Sequence, residues 1–529
     1  MLRFLPLLFF LPFLAFSQNT FPYRLALEEV SIPGLPGLHS FAFAQADGKW
    51  LIVGGRRDGL HARQPFNAFP AAQNNNQLYV LDIGSNQLWS ASLSGLPAAV
   101  QEQLQSTNMN FHQLGDTLYI TGGYAYSPSA TDHITFPRLT TLIVSQTINA
   151  IQQAQPIVPF VQSLTDNQFA LTGGQLSALG NTFYQVGGHR FDGRYNPMGN
   201  PTYTQTYSEQ IRRFTISNSP GALSVLHSQP ITDAIHLHRR DFNLLPMIYP
   251  GDSTGFMISA GVFQPAADLP YLYPVDIRPE GIMPRTGFNQ YLSQYHSAHS
   301  SLYRQGEMHH LFWGGMSQYQ YVNGLLVEDQ QVPFVKTISR LTRRIDGTLE
   351  EFLLPDEMPG LRGASAEFIP DHSLAYDEME ILHLDSITTD SIRIGHILGG
   401  LLSPLANPFS SNQTGQTNAV ATIYAVWLIR DEVSTSAPLP GDHRRQFRIW
   451  PNPGHEHLML DIPPGEGSAY FWYMTDPQGR LIRQGNGPLR ADGSLLNIIP
   501  VGIDYPAGVY QFTVLIDGVY AHSTRWIKQ

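Results

Sequence analysis

Leu118-Tyr119-Ile120-Thr121-Gly122-Gly123 decides how the chain is read. An apolar run ends in a Gly pair, and the same phrase returns along the chain. It stands at Leu51-Ile52-Val53-Gly54-Gly55, Tyr184-Gln185-Val186-Gly187-Gly188 and Met257-Ile258-Ser259-Ala260-Gly261. It stands again at Leu311-Phe312-Trp313-Gly314-Gly315 and His396-Ile397-Leu398-Gly399-Gly400. A strand meeting a tight turn reads this way, because a residue without Cβ takes φ > 0 and lets a neighbouring backbone come close. Six copies in phase form an internal repeat, which governs the fold before any single element does.

Composition agrees with an all-β chain. The 529 residues suffice for two or more domains. Charged residues make up only 14% against a usual quarter or so, while Gly (46), Pro (39), Tyr (24) and Phe (29) are plentiful. Few charges, many aromatics and frequent turn formers suit short strands better than long helices. A formal charge of −11 argues against a nucleic-acid partner, which needs a basic face. Cysteine is absent, so no disulfide staples the fold and no thiolate serves as nucleophile or metal ligand.

The repeat resembles kelch, a four-stranded propeller blade whose second strand ends in a Gly pair. The first unit also carries the Tyr and Trp that kelch units place in their third and fourth strands, as Tyr79 and Trp89. Later units keep the Gly pair and lose most of the Tyr/Trp pair. The pairs are 54 to 85 residues apart, against about 50 for a kelch repeat, so the excess sits in loops. The resemblance implies a six-bladed propeller over residues 18–431. Its blades run from His39 to about Pro97, then to about Pro159, Pro230, Pro284, Pro359 and Asp431. The alternating stretch Tyr23 to Ile32 reads as a strand that completes the last blade. Gln146 to Gln155 is the one segment that reads as helical, taken as an edge insertion.

The ends carry addresses. Met1 to Ser17 pairs Arg3 with an apolar run and small residues near Ala15 and Ser17, the pattern of a secretory signal peptide with no retained span. Residues 432–446, aperiodic and Pro/Ser-rich, read as a linker. Residues 447–529 then hold Pro451-Asn452-Pro453, Asp476 to Gly479, Pro506-Ala507-Gly508 with Tyr510, and a closing stretch with Lys528. In order and content these resemble the type A C-terminal sorting domain of the Bacteroidetes type IX secretion system. That resemblance implies a small Ig-like β-sandwich, the type IX machinery as partner, and release or display at the outer-membrane surface.

The long segments after the Gly pairs, 56–77, 189–209, 316–333 and 401–418, would share one face with the starts of the first strands. Long loops on one face of a rigid scaffold mean binding. Their Asn, Tyr, Phe and Gln content suits glycan or protein contact. His39, Asn110, His112, Gln175, Arg240 and His296 fall at first-strand starts and are the candidate ligand-binding ring, with Glu367 as the carboxylate to watch. Such a ring suits an anion or a sugar. No carboxylate is in phase with the histidines, so neither metal nor cofactor is expected. His236/His238 and His309/His310 read as solvated or satisfied core histidines, and Arg239-Arg240-Asp241 reads equally as a local charge pair or part of the site. The leading expectation is a secreted or surface binding protein. The alternative is a carbohydrate-active hydrolase, lyase or epimerase in the same mouth. Two carboxylates converging there would favour the enzyme.

Overall fold

The computed structural model describes residues 21–197, 202–219, 221–322 and 325–430, and beyond them 447–450, 457–462, 469–476, 481–490, 494–500, 506, 508–516 and 519–528. The expected signal peptide and linker lie outside the described residues, as do Pro451, Asn452, Pro453, Gly479 and Ala507.

The all-β expectation holds. Between residues 21 and 430 six sheets of four or five strands follow one another, antiparallel apart from one parallel pair in the fifth, with three two-stranded hairpins beside them among the described residues. In the first, Ala42–Ala46, Lys49–Val53, Gln77–Asp82 and Gln87–Ser92 pair in chain order. The second uses Asn110–Leu114, Thr117–Thr121, Arg138–Ile143 and Val161–Thr165. The third begins at Gln175–Leu179, the fourth at Asn243–Ile248 and the fifth at Ala298–Arg304. The sixth takes Leu361–Pro370, Ser391–Ser403 and Ile423–Arg430 from its own segment, with the short Asn418–Ala419 paired to Ser391–Ser403. Its outer place is filled by Tyr23–Val30, which runs antiparallel to Ile423–Arg430 from Tyr23 opposite Arg430 to Val30 opposite Ile423.

Each sheet buries its faces against its neighbours. Leu176, Phe183 and Phe214 of the third meet Tyr119 and Leu139 of the second. Met247 and Met257 of the fourth meet Met308, Phe312 and Leu341 of the fifth. Ile369, Leu398 and Ile423 of the sixth meet Trp50 and Ile52 of the first. Each such side chain contributes roughly 1.5–3 kcal/mol by leaving water.

The Gly pair is where one sheet touches the next. Gly122 has φ +66°, and a Cβ there would stand 1.7 Å from the carbonyl oxygen of Leu171, just before the third sheet. The second Gly of the pair donates its N–H to that same oxygen at 3.1 Å. Equivalent bonds run from Gly55 to Ser106, Gly188 to Arg239, Gly315 to Arg362 and Gly400 to Leu38. Shape and hydrogen bonding together require a residue without a side chain.

Inside these contacts lies a second series that the sequence did not announce. Ser40, Asn108, Gly173, Asp241 and His296 each precede a first strand, Ser365 lies within Leu361–Pro370, and all six have positive φ, from 45° at His296 to 65° at Gly173. Their backbones are joined in sequence. Asn108 N–H donates to Ser40 O, Gly173 to Asn108, Asp241 to Gly173, Ser365 to His296 and Ser40 to Ser365, at 2.6 to 3.2 Å. Five of six links are made, and the bonds return from the sixth sheet to the first.

Two expectations need correction. The boundary at Pro159 falls one strand early, because Val161–Thr165 pairs with Arg138–Ile143 of the second sheet. The helix is Val144–Gln152, not Gln146 to Gln155, and it is no edge insertion. It buries Val144, Ile148 and Ile151 in the core between the first two sheets, and Asp116 accepts from Ser145 N at its start. A second helix, Ala98–Leu104, enters the same core through Val100 and Leu104.

The C-terminal region forms two further antiparallel sheets. Arg448–Trp450, His457–Ile462 and Leu495–Pro500 make one; Leu481–Pro488, Ala469–Thr475, Gly508–Ile516 and Val519–Lys528 make the other. Leu458, Leu460, Trp472, Phe512 and Trp526 form their own core, with Trp472 stacked on Phe512 at 5.1 Å.

Candidate functional site

Five of the six positive-φ residues, Ser40, Asn108, Gly173, Asp241 and His296, line a small cavity of about 20 Å³ that opens to solvent. Every sheet contributes to its wall: Ser40, Asn108, Gln175, Asp241, His296 and Glu367 in order, with Phe41, Met109 and Phe111 as the apolar part. A strand start contributes here because the positive-φ turn ends the inter-sheet contact and aims the next side chains at the centre.

Arg240 and Asp241 form an ion pair at 2.5 Å, and Arg240 also donates to the Tyr207 hydroxyl at 3.2 Å. Asn108 Nδ2 donates to the Asp241 carboxylate at 3.4 Å. His296 Nδ1 lies 3.8 Å from the same carboxylate and 3.3 Å from Ser365 Oγ. On the other side Arg56 holds Asp58 through two bonds, at 2.8 and 2.6 Å, and His39 Nε2 stands 4.0 Å from Asp58. Each guanidinium is thus matched by a carboxylate.

Burial dominates the proton chemistry. It pushes His39 down to about 3, helped by the Arg56 cation. It lowers His296 too; Asp241 opposes the shift and Arg240 adds to it. Glu367 is pushed up to about 8 by burial alone. Part of its surface faces the cavity, yet protein encloses it closely, and no hydrogen-bond partner reaches its carboxyl among the described residues. At neutral pH these two imidazoles are uncharged and Glu367 carries its proton.

The long segments meet over this cavity. His61 is the keystone: it stacks on Phe69 at 5.1 Å and meets the edges of Tyr195 at 4.6 Å and Phe409 at 5.4 Å. Three different segments therefore touch one imidazole, which burial lowers to about 4. Leu60 N–H donates to Thr417 Oγ1 at 2.7 Å, Gln64 Nε2 to Asn412 Oδ1 at 2.8 Å, and Asn407 Nδ2 to Asp329 Oδ2 at 2.9 Å. Two of the segments are partly hairpins rather than irregular loops: His189–Gly193 pairs with Tyr203–Tyr207, and Tyr319–Val322 with Leu325–Glu328.

Three of the seven candidate residues line the cavity: Gln175, His296 and Glu367; His39 and Arg240 are not in its wall but each precedes a lining residue, Ser40 and Asp241. Asn110 and His112 do not line it. Asn110 Nδ2 donates to Leu171 O at 3.1 Å and ties the second sheet to the third. His112 sits 6.3 Å from the Phe183 ring, between the same sheets, and burial lowers it to about 4. Two residues apart on a strand, they share a face, and that face is turned to the neighbouring sheet. Of the other histidines, His236 meets the Tyr273 hydroxyl at 2.9 Å, His238 meets Glu209 at 2.8 Å, His309 meets Thr342 at 3.0 Å and His310 meets Ser301 at 2.8 Å. Each has a partner on at least one ring nitrogen, while His309 Nε2 is buried without one among the described residues. The sequence reading missed Asp58, His61 and Ser40, and it left Asp241 undecided. Aligning the six units on their Gly pairs would have found Ser40 and Asp241; nothing local marks His61.

No protein-family model matches the chain, and no curated protein matches it. Solved structures do match; one, titled "Structure of YjhT", has a TM-score of 0.41 and 11% identity over 74% of this chain and 96% of that one. A likeness that distant says nothing of what this chain does.

Proposed function

We propose that the six sheets are the blades of a kelch-like propeller, and that its mouth binds glycan or protein outside the cell. The observation that carries this is the cavity walled by all six sheets beneath converging long segments. Its lining is polar and charge-matched, with aromatic rings above, which suits hydroxyl-rich ligands more than strongly charged ones. The strand Tyr23–Val30 closing the last sheet supports the propeller reading. In the C-terminal region the Tyr510 hydroxyl donates to Pro506 O at 2.7 Å, like the tyrosine corner of Ig-type sandwiches. That bond, together with the motif resemblance, supports an Ig-like sorting domain read by the type IX machinery.

A glycan-array and host-protein screen of the full chain tests the binding reading. The expected result is a ligand whose binding is lost in Arg240→Ala. Binding that survives in this variant would move the site away from the mouth.

A second reading, a carbohydrate-active enzyme in the same mouth, is favoured by one observation: Asp241 and Glu367 line the same cavity. Two carboxyl groups facing one opening are what acid–base chemistry on sugars uses.

A further inference from the structure

We infer that His296 and Glu367 are the general base and general acid of a proton-transfer site in this cavity, acting on a small α-hydroxy-carbonyl compound such as an open-chain sugar. This rests on the mouth being the ligand site.

His296 is held through one ring nitrogen. Its Nδ1 is engaged by Ser365 Oγ at 3.3 Å and faces the Asp241 carboxylate at 3.8 Å. Nε2 has no partner among the described residues, and His296 lines the cavity. An imidazole held through one nitrogen, with a carboxylate behind it and the other nitrogen free, is an oriented base. Asp241 is a positioning residue that favours the imidazolium once it forms.

Glu367 stands close by. Ser365 N–H donates to His296 O at 2.6 Å, and Glu367 follows Ser365 by two residues on the strand Leu361–Pro370, roughly 7 Å along it. The two side chains therefore border one opening from adjacent sheets. Phe41, Met109 and Phe111 supply an apolar wall that limits water. Burial leaves both groups in the working form at neutral pH, the imidazole neutral and the carboxyl protonated at about 8. Arg56, Asp58, Arg240, Asp241, His39, His61 and His299 are among the other ionisable groups around them.

The step balances without a co-reactant. His296 Nε2 takes the proton from the carbon beside the carbonyl. The C–H electron pair forms a C=C bond, and the carbonyl oxygen takes the proton from Glu367. The imidazolium then gives its proton to either carbon, on either face, and the Glu367 carboxylate takes the proton of an enediol hydroxyl as the C=O re-forms. The result is an isomer or an epimer, with His296 neutral and Glu367 protonated again.

The test is solvent exchange. The full chain is incubated in D2O with glycolaldehyde, glyceraldehyde or dihydroxyacetone, and loss of the C–H signal is followed by proton NMR. Exchange at least tenfold above buffer is expected, falling at least tenfold in His296→Gln and in Glu367→Gln, whose amide cannot give up a proton. Circular dichroism confirms that each variant is folded. The wild-type rate should also fall above about pH 8, as Glu367 ionises. That limb is read on the unaltered chain, so the test survives variants that do not fold. Exchange equal to buffer with all three probes, full exchange in a folded variant, or no fall above pH 8 each overturns the inference. A positive glycan screen alongside absent exchange would leave the binding reading standing and remove only this one.

Discussion

The Asp241 carboxylate meets His296 Nδ1 at 3.8 Å across the one junction of the inner series that lacks a backbone hydrogen bond among the described residues. The same junction, between the fourth and fifth sheets, has Ala260 where the other five have the first Gly of a pair. There the sheets are tied instead by Asn243, whose side chain donates to Gln294 O at 2.7 Å and accepts from Ser297 N at 3.2 Å. The junction with the loosest backbone contact is the one that presents a carboxylate and an imidazole to the cavity.

The junctions should differ in their tolerance of a methyl group. Gly122→Ala places Cβ 1.7 Å from Leu171 O at φ +66° and should cost roughly 2–4 kcal/mol. Ala260→Gly relieves an Ala at φ 59° and should change stability by less than about 1 kcal/mol. Urea unfolding midpoints of the two variants give the comparison; equal effects would refute the account of the Gly pair.

Deleting residues 21–32 should leave the edge of Ile423–Arg430 unpaired, because Tyr23–Val30 covers it along eight residue pairs. An open, apolar edge recruits other chains. A lower melting temperature and larger species on size-exclusion chromatography are expected, and an unchanged monomer would contradict the closure.

Stability should peak in mildly acid solution. Glu367 and Glu351 are both raised to about 8 by burial, so the folded state holds more protons than the unfolded one between the ordinary carboxyl range and pH 8. Stability contributed by these groups is lost as pH rises through that window. His39 and His310 are lowered to about 3 by burial, so stability is lost as pH falls from their ordinary value of 6.5. Melting temperature measured from pH 3 to 9 should show a maximum between roughly 4.5 and 6.5, the two unfolded-state values. Glu367→Gln should flatten the alkaline limb; an identical profile in that variant would exclude a raised Glu367.

His61→Ala should loosen the cover over the mouth, because it removes ring contacts to Phe69, Tyr195 and Phe409 at once. Faster amide exchange is expected in 56–77 and 401–418, with little change in the strands. Hydrogen-exchange mass spectrometry reads this directly, and uniform exchange along the chain would mean that His61 is an ordinary core residue.

Removing residues 447–529 should leave the six sheets folded but trapped in the periplasm, if the C-terminal motifs are the export signal. The separate core of Leu458, Trp472, Phe512 and Trp526 is the reason to expect the remainder to fold. Cell fractionation checks it: surface or medium levels equal to the full chain would overturn the assignment.

The four-stranded unit that the kelch resemblance implied holds for three of the six sheets, and the other three have five strands. The sequence by itself determined the repeat and the leading strand's place. These follow from local rules: period-two alternation, turn residues, and a Gly pair returning six times. It also put His39, Gln175, Arg240 and His296 at or just before strand starts, a matter of counting from the Gly pairs, whereas Glu367 lies well inside Leu361–Pro370. What it left open depends on which face of a strand points where. Asn110 and His112 sit in the same phase as Gln175, yet the second sheet turns them toward the third, and only the packing of Phe183 and Leu171 reveals this. Pro159 looked like a boundary because Val144–Gln152 interrupts the unit, and its pairing with the first sheet's core is a contact between distant parts of the chain. The cavity's chemistry was equally hidden. A free Glu and His titrate near 4.3 and 6.5, and it is enclosure by six separate segments that moves Glu367 up and His296 down. Desolvation is a property of the assembled wall, so no single stretch of sequence carries it.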